Sequence, residues 1–254
     1  MRVSVLASGS KGNSTLIKTK DYNILIDAGM TLNYLENKLR KNEVLLKDID
    51  YIFITHTHFD HIAALNNLVK KYHPTIILTE KMLNDLDFLK EYEYILLLND
   101  DLYIDNLVIE TISTSHDSSD SKAYIITEKD TSIVILTDTG YLNHKYFTKL
   151  KNKNIYIFES NYDHEMLMYG KYPKWLQKRI NSDEGHLSND MASFYLCKLI
   201  GPNTKKIVLA HLSEENNTET AALECLNNKL KENNIKFNNI IVAKQREATE
   251  LIKV

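Results

Sequence analysis

The stretch Thr55-His56-Thr57-His58-Phe59-Asp60-His61 concentrates three imidazoles and one carboxylate in six consecutive residues. It follows the apolar run Tyr51-Ile52-Phe53-Ile54, which predicts a buried strand. Imidazole and carboxylate are the donors that suit Zn, Mn or Fe rather than Ca. A strand end followed by a turn holds such side chains rigidly and leaves room for water. The sequence therefore predicts a metal site at the end of this strand.

The spacing within the stretch predicts two ions rather than one. His56 and His58 alternate, so both side chains point to the same side of an extended segment. The following turn brings Asp60 and His61 towards a second ion beside the first. A single histidine is more often a surface or hydrogen-bonded core residue. Burying four such groups without an ion would be costly, however, and this favours a metal site.

Length and charge limit the class of protein. A chain of 254 residues is long enough to bury one large core, and we expect a single domain over residues 1–254. The net charge of −3 argues against a general nucleic-acid coat protein but leaves room for a locally basic groove. No apolar run approaches transmembrane length, and a strand rather than a signal peptide begins at Val3. We therefore expect a cytoplasmic protein with no membrane contact.

The pattern H-x-H-x-D-H of residues 56–61 resembles the ligand motif of the metallo-β-lactamase superfamily. That superfamily places a histidine, a bridging aspartate and a last histidine at later strand ends. His116, Asp138 and His211 fit this order, because each follows an apolar run. Either of these histidines, taken alone, is equally well explained as a core residue, but their order and context favour ligands.

The resemblance implies a ligand set for two divalent ions, for which Zn, Mn and Fe are all suitable. One ion would be held by His56, His58 and His116, the other by Asp60, His61 and His211, and Asp138 would bridge them. Asp27 ends the predicted strand that begins at Tyr22, and the resemblance implies that it supports the metal loop from behind.

Apolar runs and helical spacing alternate along both halves of the chain. We expect strands near residues 3–6, 22–27, 49–54, 75–79, 155–158 and 240–243, and helices near residues 31–46, 63–72, 80–90, 188–200 and 218–231. This alternation suits two sheets packed face to face with helices outside. The predicted fold class is α/β (α+β), the four-layer αββα sandwich of mixed sheets that the resemblance implies.

Three further segments resemble bacterial proteins of the YycJ/WalJ type. They are Leu6-Ala7-Ser8-Gly9-Ser10-Lys11-Gly12-Asn13-Ser14, Glu159-Ser160-Asn161-Tyr162-Asp163-His164-Glu165-Met166-Leu167 and Gly185-His186-Leu187-Ser188-Asn189. The resemblance implies a metal-dependent nuclease with 5′-to-3′ exonuclease activity on DNA. Thr57 departs from the acidic residue expected there in many relatives. Because that position is not a ligand, the departure concerns the tuning of the site.

The segment Gly185-His186-Leu187-Ser188 also resembles the Gly-His-x-Ser/Thr element of tRNA 3′-processing enzymes. There the histidine helps to protonate the leaving oxygen, and we expect the same of His186. Ser188 and Asn189, with the first amides of the following helix, would hold a phosphate. The alternative is that Ser188 only caps the helix and His186 is a polar loop residue.

A segment before His186 mixes cationic and aromatic side chains. It carries Lys145, Lys149, Lys151, Lys153, Lys171, Lys174, Lys178 and Arg179 among Tyr146, Tyr162, Tyr169, Tyr172 and Trp175. Cations that follow phosphates and rings that stack on bases are what single-stranded nucleic acids require. A solvated amphipathic helix face explains such a run equally well.

Taken together, these features predict a dinuclear metal hydrolase of phosphodiester bonds that acts on nucleic acid, DNA rather than RNA. Two ions sharing a water would lower its pKa and generate the nucleophile, with Asp60 accepting the proton and His186 assisting the leaving oxygen. Three alternatives stay open. The first is hydrolysis of a small cyclic phosphodiester, and the second is thioester or ester hydrolysis or di-iron redox chemistry. The third is a metal-stabilised binding protein without turnover. Oligomeric state is not indicated by any pattern.

Overall fold

A computed structural model describes residues 1–254. The strands form two sheets of seven strands each. The strands are β1 (Arg2–Ala7), β2 (Ser14–Lys18), β3 (Asn23–Ile26), β4 (Tyr51–Phe53), β5 (Thr75–Leu78), β6 (Ile95–Leu97), β7 (Leu102–Ile104), β8 (Leu107–Ser113), β9 (Lys122–Glu128), β10 (Thr131–Leu136), β11 (Ile155–Glu159), β12 (Lys206–Ala210), β13 (Ile240–Val242) and β14 (Ile252–Lys253). The helices are α1 (Leu32–Lys41), α2 (Phe59–Ile62), α3 (Leu65–Tyr72), α4 (Glu80–Asp85), α5 (Phe147–Leu150), α6 (His164–Tyr169), α7 (Lys174–Ile180), α8 (Asn189–Leu199) and α9 (Glu219–Glu232).

Both sheets are mixed. The first has the order β14-β1-β2-β3-β4-β5-β6, and the second has the order β13-β12-β11-β10-β9-β8-β7. In each sheet an antiparallel part passes into a parallel part, which runs from β3 to β6 in the first sheet and from β10 to β13 in the second. The central parallel strands β11 and β12 are almost entirely buried, as continuous apolar runs covered on both faces should be.

Three apolar clusters form the layers of the fold. One lies between the sheets and joins residues such as Ile24 and Phe53 of the first to Tyr124 and Ile157 of the second. A second cluster packs α1, α3 and α4 onto the outer face of the first sheet, and a third packs α5, α8 and α9 onto the second. The order helix, sheet, sheet, helix confirms the predicted αββα sandwich.

The element boundaries differ from the sequence predictions at several places. The helix expected over residues 31–46 ends at Lys41, because Glu43 adopts a left-handed conformation with φ 57°. The helix expected over 80–90 ends at Asp85 and continues as a single 3-10 turn, Asp87–Leu89. The strand predicted over residues 240–243 is confirmed as β13, but it is not the final strand as expected. The two-residue strand β14 follows and pairs with β1, and so short a segment carries no local strand pattern.

The parallel strands direct their carboxyl ends to one edge of the sandwich, where the residues that follow them turn sharply. Asp27, Asp138 and His211 follow β3, β10 and β12 and have φ values of 62°, 58° and 55°. This left-handed conformation is uncommon outside glycine and costs about 1–3 kcal/mol per residue, and such residues cluster at functional sites.

No helix of the fold combines the length and the apolar character needed to cross a membrane.

Candidate metal centre

The H-x-H-x-D-H loop is fixed by backbone contacts to the loops after β1 and β3. The carbonyl oxygen of Asp60 accepts from the amide of Asn13 over 2.8 Å, and that of His61 accepts from the amide of Ala28 over 2.8 Å. Gly29 makes the closest approach, since a Cβ atom there would lie 1.6 Å from the carbonyl oxygen of Asp60. Only a glycine fits at this crossing, so the position of Asp60 depends on it.

One group of three imidazoles forms where this loop meets the loop after β8. His56, His58 and His116 have ring nitrogens within 4.8 Å of one another. Nδ1 of His58 lies 3.2 Å from Nε2 of His116. The opposite ring nitrogen of His116 contacts the carbonyl oxygen of Gly185 at 3.1 Å, which orients the ring towards the cluster. These are the three histidines that the sequence assigned to the first ion.

Asp138 lies between this group and the other predicted ligands. Its Oδ2 atom is 3.3 Å from Nε2 of His61, and its Oδ1 atom is 3.3 Å from Nε2 of His211. Asp60 is further out, with Oδ2 3.5 Å from Nε2 of His61. All seven predicted ligands therefore lie close together at one edge of the sandwich, and a bridging role for Asp138 stays a prediction.

Two buried atoms of this cluster have no hydrogen-bond partner, namely Nε2 of His56 and Oδ2 of Asp138. His56 is fully buried and Asp138 is 2% exposed, so bulk water does not reach these two atoms to form hydrogen bonds. Unpaired buried polar atoms are rare because they cost free energy, and metal coordination is one of the ways in which they are satisfied. The nitrogen and oxygen donors present fit a divalent transition metal.

The electrostatics of the cluster favour added positive charge. Burial opposes protonation of His61, but the carboxylates of Asp27, Asp138 and Asp60 outweigh it and raise the pKa of His61 well above its ordinary value. Burial likewise opposes ionisation of Asp138, but the imidazoles of His211 and His61 hold the pKa of that carboxyl well below its usual range. A site that stabilises a proton among three carboxylates also stabilises a metal cation in its place.

Asp27 contacts the metal loop from behind. Its Oδ1 atom accepts from the amide of Thr55 and its Oδ2 atom from the Thr55 hydroxyl, each over 2.8 Å. The same Oδ2 atom lies 2.7 Å from Nδ1 of His61. Because a carboxylate only accepts, this contact places a proton on Nδ1 of His61 and turns Nε2 towards Asp138.

Asn13, in the Gly/Ser loop before β2, is a further site residue that the ligand motif does not predict. Its Nδ2 atom is 3.1 Å from Oδ2 of Asp60 and 2.9 Å from Nε2 of His61, and its Oδ1 atom is 3.1 Å from Nδ1 of His211. In the same Gly/Ser loop, the Ser8 hydroxyl accepts from the amide of His211 over 2.7 Å. The loop therefore supports the predicted ligands Asp60, His61 and His211.

His186 faces the cluster, paired with a carboxylate that the sequence interpretation missed. Nδ1 of His186 lies 2.7 Å from Oε1 of Glu159 and 3.6 Å from Oδ1 of Asp138. Glu159 is fully buried, and its other oxygen accepts from the amide of Thr139 over 3.0 Å. Burial, with the nearby Asp138 charge, raises the pKa of Glu159 to about 8. Glu159 could have been predicted as a site residue because it ends β11. That strand lies between β10 and β12, which precede Asp138 and His211.

The two residues predicted to bind substrate after His186 occupy structural positions. The Ser188 hydroxyl caps α8 by accepting from the amide of Met191 over 3.2 Å. Asn189 is 2% exposed, and its side chain bonds to Ser160 over 2.6 Å and to Asn217 over 2.9 Å. These contacts hold the loops after β11 and β12 together, and a phosphate role for either side chain stays a prediction.

Thr57, the departure from the expected acidic residue, is paired with a carboxylate from another element. Its hydroxyl donates to Oδ2 of Asp85 over 2.9 Å, and the Ser119 hydroxyl donates to the same oxygen. Asp85, the last residue of α4, thus links the loop that carries His56 and His58 to the loop that follows His116.

The basic and aromatic segment before His186 is only partly free. Lys149 pairs with Asp101 and lies near Glu110, which is also 3.6 Å from Lys153. Tyr162 is buried, at 4% exposure, so it cannot stack on a base. By contrast, Tyr169 and Trp175 are 89% and 68% exposed. The exposed aromatic residues of the segment are therefore Tyr169 of α6 and Trp175 of α7.

Comparison with known proteins agrees with this geometry. The family model of the metallo-beta-lactamase superfamily matches residues 7–211. Exodeoxyribonuclease YycJ of Bacillus anthracis is 34% identical over 87% of this chain and 86% of its own. Exodeoxyribonuclease WalJ of Streptococcus pneumoniae is 34% identical over 90% of this chain and 88% of its own. The crystal structure of the metallo-beta-lactamase fold protein YhfI from Bacillus subtilis superposes with a TM-score of 0.73 at 18% identity, covering 98% of each chain.

The chain belongs to the metallo-beta-lactamase superfamily. Its sandwich fold, together with the clusters of histidine and aspartate at one edge, defines a metal-dependent hydrolase.

Proposed function

We propose that this protein is a metal-dependent exonuclease that hydrolyses the phosphodiester bonds of DNA from the 5′ end. The observation that carries the proposal is the meeting of seven histidine and aspartate side chains, Asp138 among them, two of which have a buried atom without a partner. The names of two relatives that share about a third of their residues with this chain supply the substrate class.

Two divalent ions would complete the centre. His56, His58 and His116 would hold one, and Asp60, His61 and His211 the other, with Asp138 as a ligand shared by both. Zn, Mn and Fe all suit these donors. When bound, such ions supply an activated water as nucleophile and neutralise charge on the phosphoryl oxygens.

The chain's own groups provide the proton transfers. Asp60 is partly exposed and its pKa is held below the ordinary value because the imidazole of His61 outweighs the effect of burial, so it is ionised and able to accept a proton. His186 is positioned to donate a proton from Nε2 to the leaving oxygen. Because the pKa of Glu159 is raised to about 8, its protonated carboxyl donates to Nδ1 and leaves the His186 proton on Nε2. Glu159 is thus a positioning residue for His186.

The test is release of nucleotides from end-labelled single- and double-stranded DNA by the purified protein supplied with Mn²⁺ or Zn²⁺. Asp138→Ala serves as the inactive control, because it removes the bridging carboxylate. Early loss of a 5′ label by the wild type alone supports the proposal and gives the direction of digestion. If metal analysis finds the ions bound and DNA stays intact, the nuclease assignment fails, and cyclic nucleotides and thioesters become the substrates to assay.

A further inference from the structure

Helix α7 presents an exposed face that no other element covers. Trp175, Lys178 and Arg179 are exposed, whereas Gln177 and Ile180 of the same helix are buried. Side chains three and four positions apart lie on the same side of a helix, so the three exposed residues form one stripe. Large aromatic side chains usually bury most of their surface. Here a ring that is 68% exposed lies beside two cations.

The stripe leads into the metal centre. Nε of Arg179 is 2.5 Å from Oδ2 of Asp117, and the carbonyl oxygen of Asp117 is 3.2 Å from Nε2 of His58. The end of α7 is fixed in the same direction, because the carbonyl oxygen of Ile180 accepts from the amide of His186 over 2.9 Å. Arg179 therefore lies at the mouth of the site.

Arg179 keeps most of its donors available. Its contact with Asp117 uses Nε, and its side chain is 49% exposed. The two terminal amino groups of the guanidinium can bind two oxygens of a phosphate at once. Asp117 thus holds the guanidinium in place. Because about half of the Arg179 side chain is exposed, an anion from solvent can reach its terminal amino groups.

The spacing along α7 matches a strand of nucleic acid. Trp175 and Arg179 are four positions apart, which is a rise of about 6 Å along the helix axis. This is close to the length of two stacked nucleotides at about 3.4 Å each. We propose that this stripe, Trp175, Lys178 and Arg179, binds the single-stranded end of the substrate. Arg179 binds a phosphate beside the scissile one, and Trp175 stacks on a base further from the metal centre. The inference rests on the proposed nuclease function and adds the surface that holds the polymer.

Trp175 is the chain's one tryptophan, so its fluorescence reports directly on the stripe. The metal-loaded full-length protein is titrated with a phosphorothioate-linked oligonucleotide that resists hydrolysis, and anisotropy of a label on the oligonucleotide follows binding independently. Stacking quenches the tryptophan emission in step with the anisotropy. Binding without any change in emission overturns the proposal, because the strand then lies elsewhere.

Kinetics separate this surface from the centre itself. Trp175→Ala and Arg179→Ala each raise KM for a single-stranded oligonucleotide about tenfold more than KM for bis(p-nitrophenyl) phosphate, which is too small to reach Trp175. Trp175→Phe restores most of the affinity because it retains a ring. Tyr103→Ala, an exposed aromatic on β7, and Arg40→Ala, an exposed arginine paired with Glu36, are matched controls and behave as the wild type.

The strand-binding surface and the nuclease function give different results when either is absent. In one outcome, the wild type digests DNA while Trp175→Ala and Arg179→Ala keep its ratio of KM for the oligonucleotide to KM for bis(p-nitrophenyl) phosphate. The proposed surface is then wrong and the nuclease function stands. If the oligonucleotide quenches Trp175 and no DNA is digested, strand binding at α7 is supported and the exonuclease function is wrong.

Discussion

Oδ2 of Asp27 lies 2.7 Å from Nδ1 of His61, and the other oxygen of the same carboxylate accepts from the amide of Thr55. One buried carboxylate from the end of β3 therefore fixes both the start of the metal loop and its last histidine.

Replacing Asp27 with Asn should weaken metal binding by about 10–100-fold, the usual effect of losing a group that orients a ligand. Asparagine tolerates the left-handed backbone that Asp27 adopts, so the change removes the charge and leaves the fold in place. Competition with a chromogenic chelator measures the affinity. Asp21→Asn, at an exposed position nearby in the sequence, is the control. Wild-type affinity in Asp27→Asn would show that His61 needs no such support.

Removing the metal should lower the thermal unfolding temperature. Without it, Nε2 of His56 and Oδ2 of Asp138 stay buried and unpaired, and three carboxylates surround His61. A ligand at a thousandfold excess over its Kd stabilises the folded state by about 4 kcal/mol. Calorimetry with and without a chelator measures the shift, which added Zn²⁺ or Mn²⁺ should reverse. Asp138→Ala should show a much smaller shift, and an equal shift would place the metal elsewhere.

Substrates with different leaving groups should separate the role of His186 from metal binding. If His186 protonates the leaving oxygen, His186→Ala slows hydrolysis of DNA by about 100-fold or more. It should slow the p-nitrophenyl ester of thymidine 5′-phosphate much less, because p-nitrophenolate departs without a proton.

Glu159→Gln should act in the same direction with a smaller effect, since it leaves His186 present and only less well oriented. The measurement is kcat for both substrates, with metal content checked in each variant. Equal losses on the two substrates would contradict a proton-donor role and assign His186 to the support of Asp138.

Gly29→Ala should reduce both stability and metal affinity. A Cβ atom at this position would lie 1.6 Å from the carbonyl oxygen of Asp60, so the metal loop must move. Overpacking of this kind costs about 1–3 kcal/mol. Gly201→Ala is the matched control, because its Cβ atom would meet only the side chain of Asn152, away from the centre. Denaturant unfolding and chelator competition should show a loss of stability in both variants and a loss of affinity in Gly29→Ala alone.

The metal loop was predictable because its residues are contiguous and their pattern is local. The apolar runs before Asp138 and His211 were readable for the same reason, and with the family pattern they predicted the sandwich. Glu159 follows an equally clear strand, and the rule that carboxyl ends of parallel strands meet at one edge would have included it.

Other relationships have no local signal. Thr57 and Asp85 come from different elements, as do Asp117 and Arg179, and only the folded chain shows that each pair is in contact. The left-handed backbone at Asp138 and His211 is set by the surrounding packing, since neither residue type demands it. The same holds for β14, whose two residues become a strand only because β1 offers a free edge.

The distribution of ligands along the chain has a consequence for biosynthesis. The loop with His56 and His61 leaves the ribosome early, and His211 follows about 150 residues later, roughly 10–30 s at ordinary elongation rates. Until then the nascent chain displays imidazoles that can capture a cation without the partners that complete its shell. The first sheet receives its edge strand later still, when Ile252 pairs with Val3. A growing chain therefore completes the predicted ligand set only after His211 has been made and has folded back onto the earlier loop.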